Sequence, residues 1–323
     1  MNKASTTPDA SGSQAPAAKT GLISVLIICS DRFEELLRGL ASLELLGDLL
    51  LEVRVLKNAS SVEWNKERFE GLPAAVREKL IILSSEQRLF PTAARNRLAE
   101  GSRGDAFLFL DDDAYLLELA GIQKGLEILQ RDNSVGSIAY PQCDEKGIII
   151  KNYAQPAPVD YPCLTCGFSS YGALVRADVF RKLGGFQELL QIYGEENEYC
   201  RRQWNLGYSV VYLPAPTVFH VGSKVERNKW QRAKFDARNA WYVALLHEPL
   251  WYLWFSLPRR ILGGRSYLKW TNSWPGSPRL PLFRQALAEF LSDFRELVRR
   301  RTPLKLSTLR TWQRIKKTYP RYP

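Results

Sequence analysis

Histidine is nearly absent from this chain: 323 residues contain two, His220 and His247. With only five cysteines, Cys29, Cys143, Cys163, Cys166 and Cys200, that scarcity argues against a structural zinc site, because the Cys163/Cys166 pair has no second pair to close a tetrahedron. An odd, sparse cysteine set is not a secreted disulfide framework either, and buried thiols are the expectation. No apolar run reaches the roughly 18 residues of a membrane span. The nearest, residues 241–257, is broken by His247-Glu248-Pro249. The apolar run 22–29 is closed by Ser30-Asp31-Arg32 with no small-residue cleavage site after it, so it reads as a first β-strand and not as a signal-peptide core. There is no internal repeat, and Cys29-Ser30-Asp31-Arg32 contains no glycine. That removes the Gly-rich phosphate loop a nucleotidyltransferase would want after its first strand.

Charge is present in quantity and unevenly placed. The net charge is +11, yet Lys and Arg number 23 against 28 Asp and Glu through residue 223, and 22 against 6 from Lys224 onward. The same basic third holds seven of the nine tryptophans: Trp230, Trp241, Trp251, Trp254, Trp270, Trp274 and Trp312. Such a segment seeks phosphate-bearing surfaces, and Trp mixed with Lys and Arg is the composition of a membrane interface. Core aromatics beside a solvated basic face give the same composition. Nucleic acid is not expected as a partner, because the tail carries no recognisable module. Residues 1–20, rich in Ala, Ser, Thr and Pro, read as a disordered leader.

Between leader and basic third, aliphatic runs at 22–29 and 50–56 flank a helical pattern at 33–46. Strand, helix, strand implies a right-handed βαβ unit and a parallel sheet. A strand at 80–83, a helix at 92–101 carrying Arg95 and Asn96, and the run Phe107-Leu108-Phe109-Leu110 follow. Helix is expected at 116–131 and strands at 135–140, 147–153, 170–175, 209–213 and 217–220. Beyond Lys224 the pattern is helical at 228–247, around 249–257 and at 281–301, and then a tail. The 107–110 run empties into Asp111-Asp112-Asp113 with no turn residue between. Read as a buried strand, it places three carboxylates at its carboxyl end, where open α/β sheets bind ligands. Oxygen ligands there suit Mg²⁺ or Mn²⁺, and such an ion would carry a phosphate or diphosphate. A solvated acidic turn is the competing reading.

Three elements stand in sequence: the strand ending in Asp111-Asp112-Asp113, the acidic helix start Gly194-Glu195-Glu196, and a strand ending in Val218-Phe219-His220. Their order resembles that of inverting family 2 glycosyltransferases of the GT-A fold. Ser24-Val25-Leu26-Ile27-Ile28 with Asp31-Arg32, Thr92-Ala93-Ala94-Arg95-Asn96, the 172–186 stretch and Arg238-Asn239 resemble further segments of that family, over roughly residues 22–245. The resemblance implies a Rossmann-like, mixed, mostly parallel sheet in residues 21–223, with a basic helical extension over 224–323. It also implies a metal, Mn²⁺ or Mg²⁺, on Asp111, Asp113 and His220. A nucleotide-sugar donor would be held by Asp31, Asn58, Arg95, Asp111 and Asp112. The catalytic base falls on Glu196, where the family usually has Asp, with Glu195 as the substitute. Lys57 stands where the family has a base-reading acid and cannot accept a hydrogen bond, so the donor's base stays open.

The expected activity is metal-dependent transfer of one sugar, hexosyl or deoxyhexosyl, from a nucleotide donor to a cell-surface glycan or lipid-linked acceptor. The Gln-x-x-Arg-Trp sequence of processive synthases is missing, which points to single addition. The expected location is cytoplasmic, peripheral on the inner face of the plasma membrane through the basic third. A non-catalytic glycan-binding or scaffold protein of the same fold is the alternative, motivated by Lys57 and Glu196.

Overall fold

The computed structural model describes residues 21–150, 155–222, 229–270 and 279–323; the expected leader and Trp274 lie outside them. The strands are β1 (Ile23–Cys29), β2 (Leu50–Asn58), β3 (Leu80–Ser85), β4 (Ala106–Asp111), β5 (Ala114–Leu116), β6 (Val135–Ala139), β7 (Gln142–Cys143), β8 (Cys163–Leu164), β9 (Ala173–Arg176), β10 (Ser209–Tyr212) and β11 (Val218–His220). The helices are α1 (Phe33–Ser42), α2 (Ala74–Arg77), α3 (Pro91–Ala99), α4 (Ala120–Arg131), α5 (Ala177–Lys182), α6 (Glu195–Asn205), α7 (Lys229–His247), α8 (Leu250–Trp270), α9 (Arg279–Arg299) and α10 (Leu306–Thr318).

Eight strands form one sheet in the order β3-β2-β1-β4-β9-β6-β10-β8. The half from β3 to β4 is parallel, whereas β9 runs antiparallel between β4 and β6. This is the mixed, mostly parallel sheet expected from sequence. Alternation along each strand sorts its side chains into two layers. Ile23, Val25, Ile27, Leu108 and Leu110 join α1 and α4 in one core cluster. Leu26, Phe107 and Phe109 join Ala94 and Leu98 of α3, Phe180 of α5 and Tyr199 of α6 in the other. Covered on both faces, the central strands β1 and β4 are near-continuous apolar runs and not alternating ones, which is why they are legible in the sequence.

A second sheet of three strands, β5-β11-β7, stands beside the first. It departs from two expectations. The helix expected from residue 116 starts four residues later, because residues 114–116 pair with β11 as β5. The strand expected at 147–153 reduces to a single bridge between Cys143 and Ile149, and its residues 151–153 lie outside the described part.

In the basic third, Trp241, Tyr242, Leu245, Ala286 and Phe290 build a separate cluster between α7 and α9. α8 continues through Pro258 to Trp270, well past the expected segment. The tail is a helix, α10, whose Trp312 and Ile315 are buried in the same core as Phe107. Beyond it the chain returns to the sheet edge, with Leu164 N donating to Pro320 O at 2.8 Å and Tyr322 N donating to Pro162 O at 3.0 Å. The described tryptophans of the basic third do not share one role: Trp241 and Trp312 are core, while Trp251 and Trp254 are exposed. All five cysteines are buried free thiols. Among the described residues no helix is long and apolar enough to cross a membrane. Trp312→Ala, by opening a cavity under the returning tail, is expected to cost about 3–5 kcal/mol, measured by urea denaturation.

Candidate active site

Asp111 is the last residue of β4, and Asp112 and Asp113 make the turn into β5. β11 then runs antiparallel to β5 with His220 opposite Ala114, and Val221 N donates to Asp113 O at 3.0 Å. This register fixes a histidine from a distant segment beside the acids. One ligand atom each of Asp111, Asp113 and His220 lie within 4.8 Å of one another. His220 Nε2 is 3.2 Å from Asp113 Oδ1 and 3.6 Å from Asp111 Oδ2, yet neither ring nitrogen makes a hydrogen bond with a described residue. The buried ring stacks on Tyr171, centroids 4.7 Å apart and planes 12° from parallel. A buried imidazole held flat, with its nitrogens unsatisfied and two carboxylates facing it, fits a divalent cation.

Two guanidiniums balance the acids from the protein itself. Arg32, in the turn between β1 and α1, donates to Asp113 Oδ2 at 2.8 Å and also bonds Asp112. Asp112 is buried, which raises its carboxyl; Arg32 opposes that rise, and the other two acids add to it, leaving it at about 7. Arg95, buried on α3, donates to Asp111 Oδ1 and to Glu195 Oε1, each at 3.2 Å. One arginine thus ties the strand end that carries the acids to the helix start that carries the paired glutamates.

Those glutamates differ. Glu195 is 3% exposed; burial and the charge of Glu196 push it up to about 8 in spite of Arg95. Glu196 is half-buried and its Oε1 accepts from the Ser170 hydroxyl at 2.7 Å. The helix start itself rests on an unusual loop. Gln191 and Tyr193 have φ of 64° and 67°, and Gly194 has φ of 86°, a left-handed region that non-glycine residues seldom occupy. Asn239 of α7 donates its amide to the carbonyls of Leu190, Ile192 and Tyr193 at 2.7–2.9 Å. Arg238 donates to Leu190 O at 3.0 Å and to Gln191 Oε1 at 3.1 Å. These buried contacts hold the loop open in the shape that delivers Glu195 and Glu196.

The remaining expected donor contacts stand at the carboxyl ends of β1 and β2. Asp31 Oδ1 accepts from Ser61 N at 2.8 Å and from the Ser60 and Ser61 hydroxyls, and the Ser61 backbone bond lowers its carboxyl. Asn58 is buried and exchanges two hydrogen bonds with the Leu89 backbone, at 2.8 and 2.9 Å. Both side chains shape loops. Lys57, next to last in β2, has its Nζ 6.0 Å from the Trp64 ring centroid. Sequence reasoning assigns no role to Arg32, Ser170 or Tyr171; only the first had a visible signal, as a cation directly after the opening strand.

Residues 24–184 match the family model of glycosyl transferase family 2. The chain carries a family 2 glycosyltransferase domain. Its fold is similar to that of mannosyltransferase PcManGT from Pyrobaculum calidifontis, solved with GDP-Man and Mn²⁺, at 15% identity and TM-score 0.52 over 92% of this chain and 87% of that one. It is also similar to GalNAc-T7, solved with UDP, GalNAc and Mn²⁺, at 15% identity and TM-score 0.55; that match covers 85% of this chain and 56% of the other. TarS 1-349 of S. aureus is similar at 13% identity and TM-score 0.54, with 94% and 93% covered. At such identities the likeness shows the GT-A fold. No curated protein matches the chain.

Within this glycosyltransferase, helix α6 is anchored by a buried triad. Glu198 accepts from Arg202 at 2.7 and 2.8 Å, and His247 Nε2, at the end of α7, lies 2.8 Å from Glu198 Oε1. Burial alone would raise the Glu198 carboxyl; Arg202 and His247 outweigh it and hold the group at about 2, against 4.5 ordinarily. A carboxyl depressed in the folded state contributes stability above its unfolded value and loses that contribution as pH falls toward the folded one. Stability in urea is therefore expected to drop by about 3 kcal/mol between roughly pH 4.5 and 2 from this group. Glu198→Gln should lower stability at neutral pH and flatten that part of the profile; an unchanged acid limb would exclude the assignment.

Proposed function

We propose that this glycosyltransferase moves a single hexosyl or deoxyhexosyl unit from a nucleotide sugar to a hydroxyl of a cell-surface glycan or lipid-linked acceptor, with inversion at the anomeric carbon. The observation that carries the proposal is the joining, through Arg95, of the Asp111/Asp113/His220 cluster to the Glu195-Glu196 helix start. In this reading residues 21–223 are the catalytic domain and residues 224–323 an extension that braces it through Arg238, Asn239 and His247.

Asp111, Asp113 and His220 would hold Mn²⁺ or Mg²⁺, which supplies neutralisation of the charge that grows on the departing diphosphate. Glu196 is the base. Its carboxylate is half-buried, among the described residues no arginine forms an ion pair with it, and Ser170 orients it. As the acceptor oxygen attacks the anomeric carbon, Glu196 takes the hydroxyl proton, the bond from that carbon to the phosphate oxygen breaks, and the nucleoside diphosphate leaves. One displacement by one attacking oxygen inverts the centre. Glu195 is a positioning residue, fixing the height of α6 against Asp111 through Arg95. Arg32 holds Asp112 and Asp113 in place.

Nucleoside diphosphate release from a panel of nucleotide sugars is expected only with Mn²⁺ or Mg²⁺. Asp113→Ala, checked for folding by circular dichroism, should abolish both release and the metal dependence of nucleotide binding in calorimetry. Full activity of that variant would sink the metal assignment. Metal-dependent nucleotide binding by the native chain without any transfer would favour a non-catalytic glycan-binding protein. Glu196→Gln is expected to lower kcat about 1,000-fold with nucleotide binding unchanged, and rates equal to those of the native chain would move the base elsewhere.

A further inference from the structure

We infer that the outward face of α8 docks the protein on an anionic bilayer surface. Leu250, Trp251, Trp254, Phe255 and Leu262 are exposed to 72%, 65%, 80%, 72% and 65%. Their spacing, with exposed Pro258 between, places them along one side of the helix. The other side is filled: Leu253, Ser256 and Gly264 are buried, and Trp241 Nε1 of α7 donates to Arg260 O at 3.0 Å. α8 is thus apolar on both sides, with one side answered by protein and the other facing outward. A surface row of this size, two of its members tryptophan, marks a contact surface and not scattered exposed leucines.

The chemistry of the row's surroundings selects the occupant. Arg259 is exposed on the same helix, and the segment from Lys224 has 22 Lys and Arg against 6 Asp and Glu. Part of that charge is internal, since Arg238 and Lys234 are paired to Glu289 and Arg260 to Glu248. The remainder still leaves the segment strongly positive. An apolar protein groove would take the aromatic side chains but gains nothing from surplus positive charge. A bilayer with anionic headgroups takes both, the indoles at headgroup depth and the guanidiniums at phosphate. α8 would lie along the surface, as it is not apolar enough to cross.

This inference stands on the surface alone and does not depend on the transfer chemistry. The full chain is sedimented with vesicles of phosphatidylcholine, with and without phosphatidylglycerol, at low and high salt, and its mass in solution is followed by sedimentation velocity. Binding is expected with phosphatidylglycerol only and should weaken as salt rises. The variant Trp251→Ser/Trp254→Ser/Phe255→Ser should bind about 100-fold more weakly, with unchanged circular dichroism because these side chains are exposed. Equal binding by the variant, or no vesicle binding by the native chain, overturns the inference. A native dimer that becomes a monomer in the variant, without vesicle binding, assigns the face to a second copy and overturns it as well.

Discussion

Three carboxylates at the end of a buried strand repel one another, and the arrangement around them follows from how that repulsion is met. Arg32 enters from the turn between β1 and α1 and takes Asp112 and Asp113. Arg95 enters from α3 and takes Asp111. What the arginines leave, one side of Asp111 and Asp113, faces His220 across the β5-β11 pairing. The candidate cation site is therefore defined as much by what the arginines occupy as by Asp111, Asp113 and His220 themselves. Arg95 has a further consequence, since its second contact, with Glu195, transmits the position of the acids to α6. Charge balance and site geometry are here the same set of contacts.

The basic third takes part in that geometry. Its buried Arg238 and Asn239 clamp the carbonyls of Leu189, Leu190, Ile192 and Tyr193, and His247 locks Glu198 one turn into α6. A helix start built on left-handed residues is costly by itself and persists only where neighbours over-determine it. The extension provides those neighbours. Its other face, on α8, is turned outward, so the segment that fixes the glutamates also carries the exposed aromatic row.

Much of the fold is legible in the sequence because the central strands of the sheet are buried on both faces. Runs such as 22–29 and 107–110 need no alternation to be recognised, and the order of the helices between them gives the parallel half. Less legible are elements whose pattern is set by partners far away. Leu116 reads as the start of the helix that becomes α4, yet it ends the strand at residues 114–116, which forms because β11 lies beside them. The tail after residue 301 reads only as arginine-rich and aromatic, yet it forms α10 and buries Trp312 against the core of another segment.

The site divides in the same manner. Asp111, Asp113, Glu195, Glu196 and His220 are visible as residues, since each sits at the end or start of an element whose periodicity is strong. Their division of labour is not visible. That Glu195 is buried on Arg95 while Glu196 rests on Ser170, and that Asp31 and Asn58 serve loop backbone, depends on which way each side chain turns once the sheet and α6 are packed. By itself the sequence determined the layers, the order of the acidic and histidine elements and the basic, aromatic character of the last third, because burial and charge are properties of segments. The tertiary structure alone decided the His220 register, the roles of Arg32 and Arg95 and which tryptophans face outward, because each depends on contacts between separate elements, such as Arg32 with Asp113 and Arg95 with Glu195, or on opposite sides of one helix.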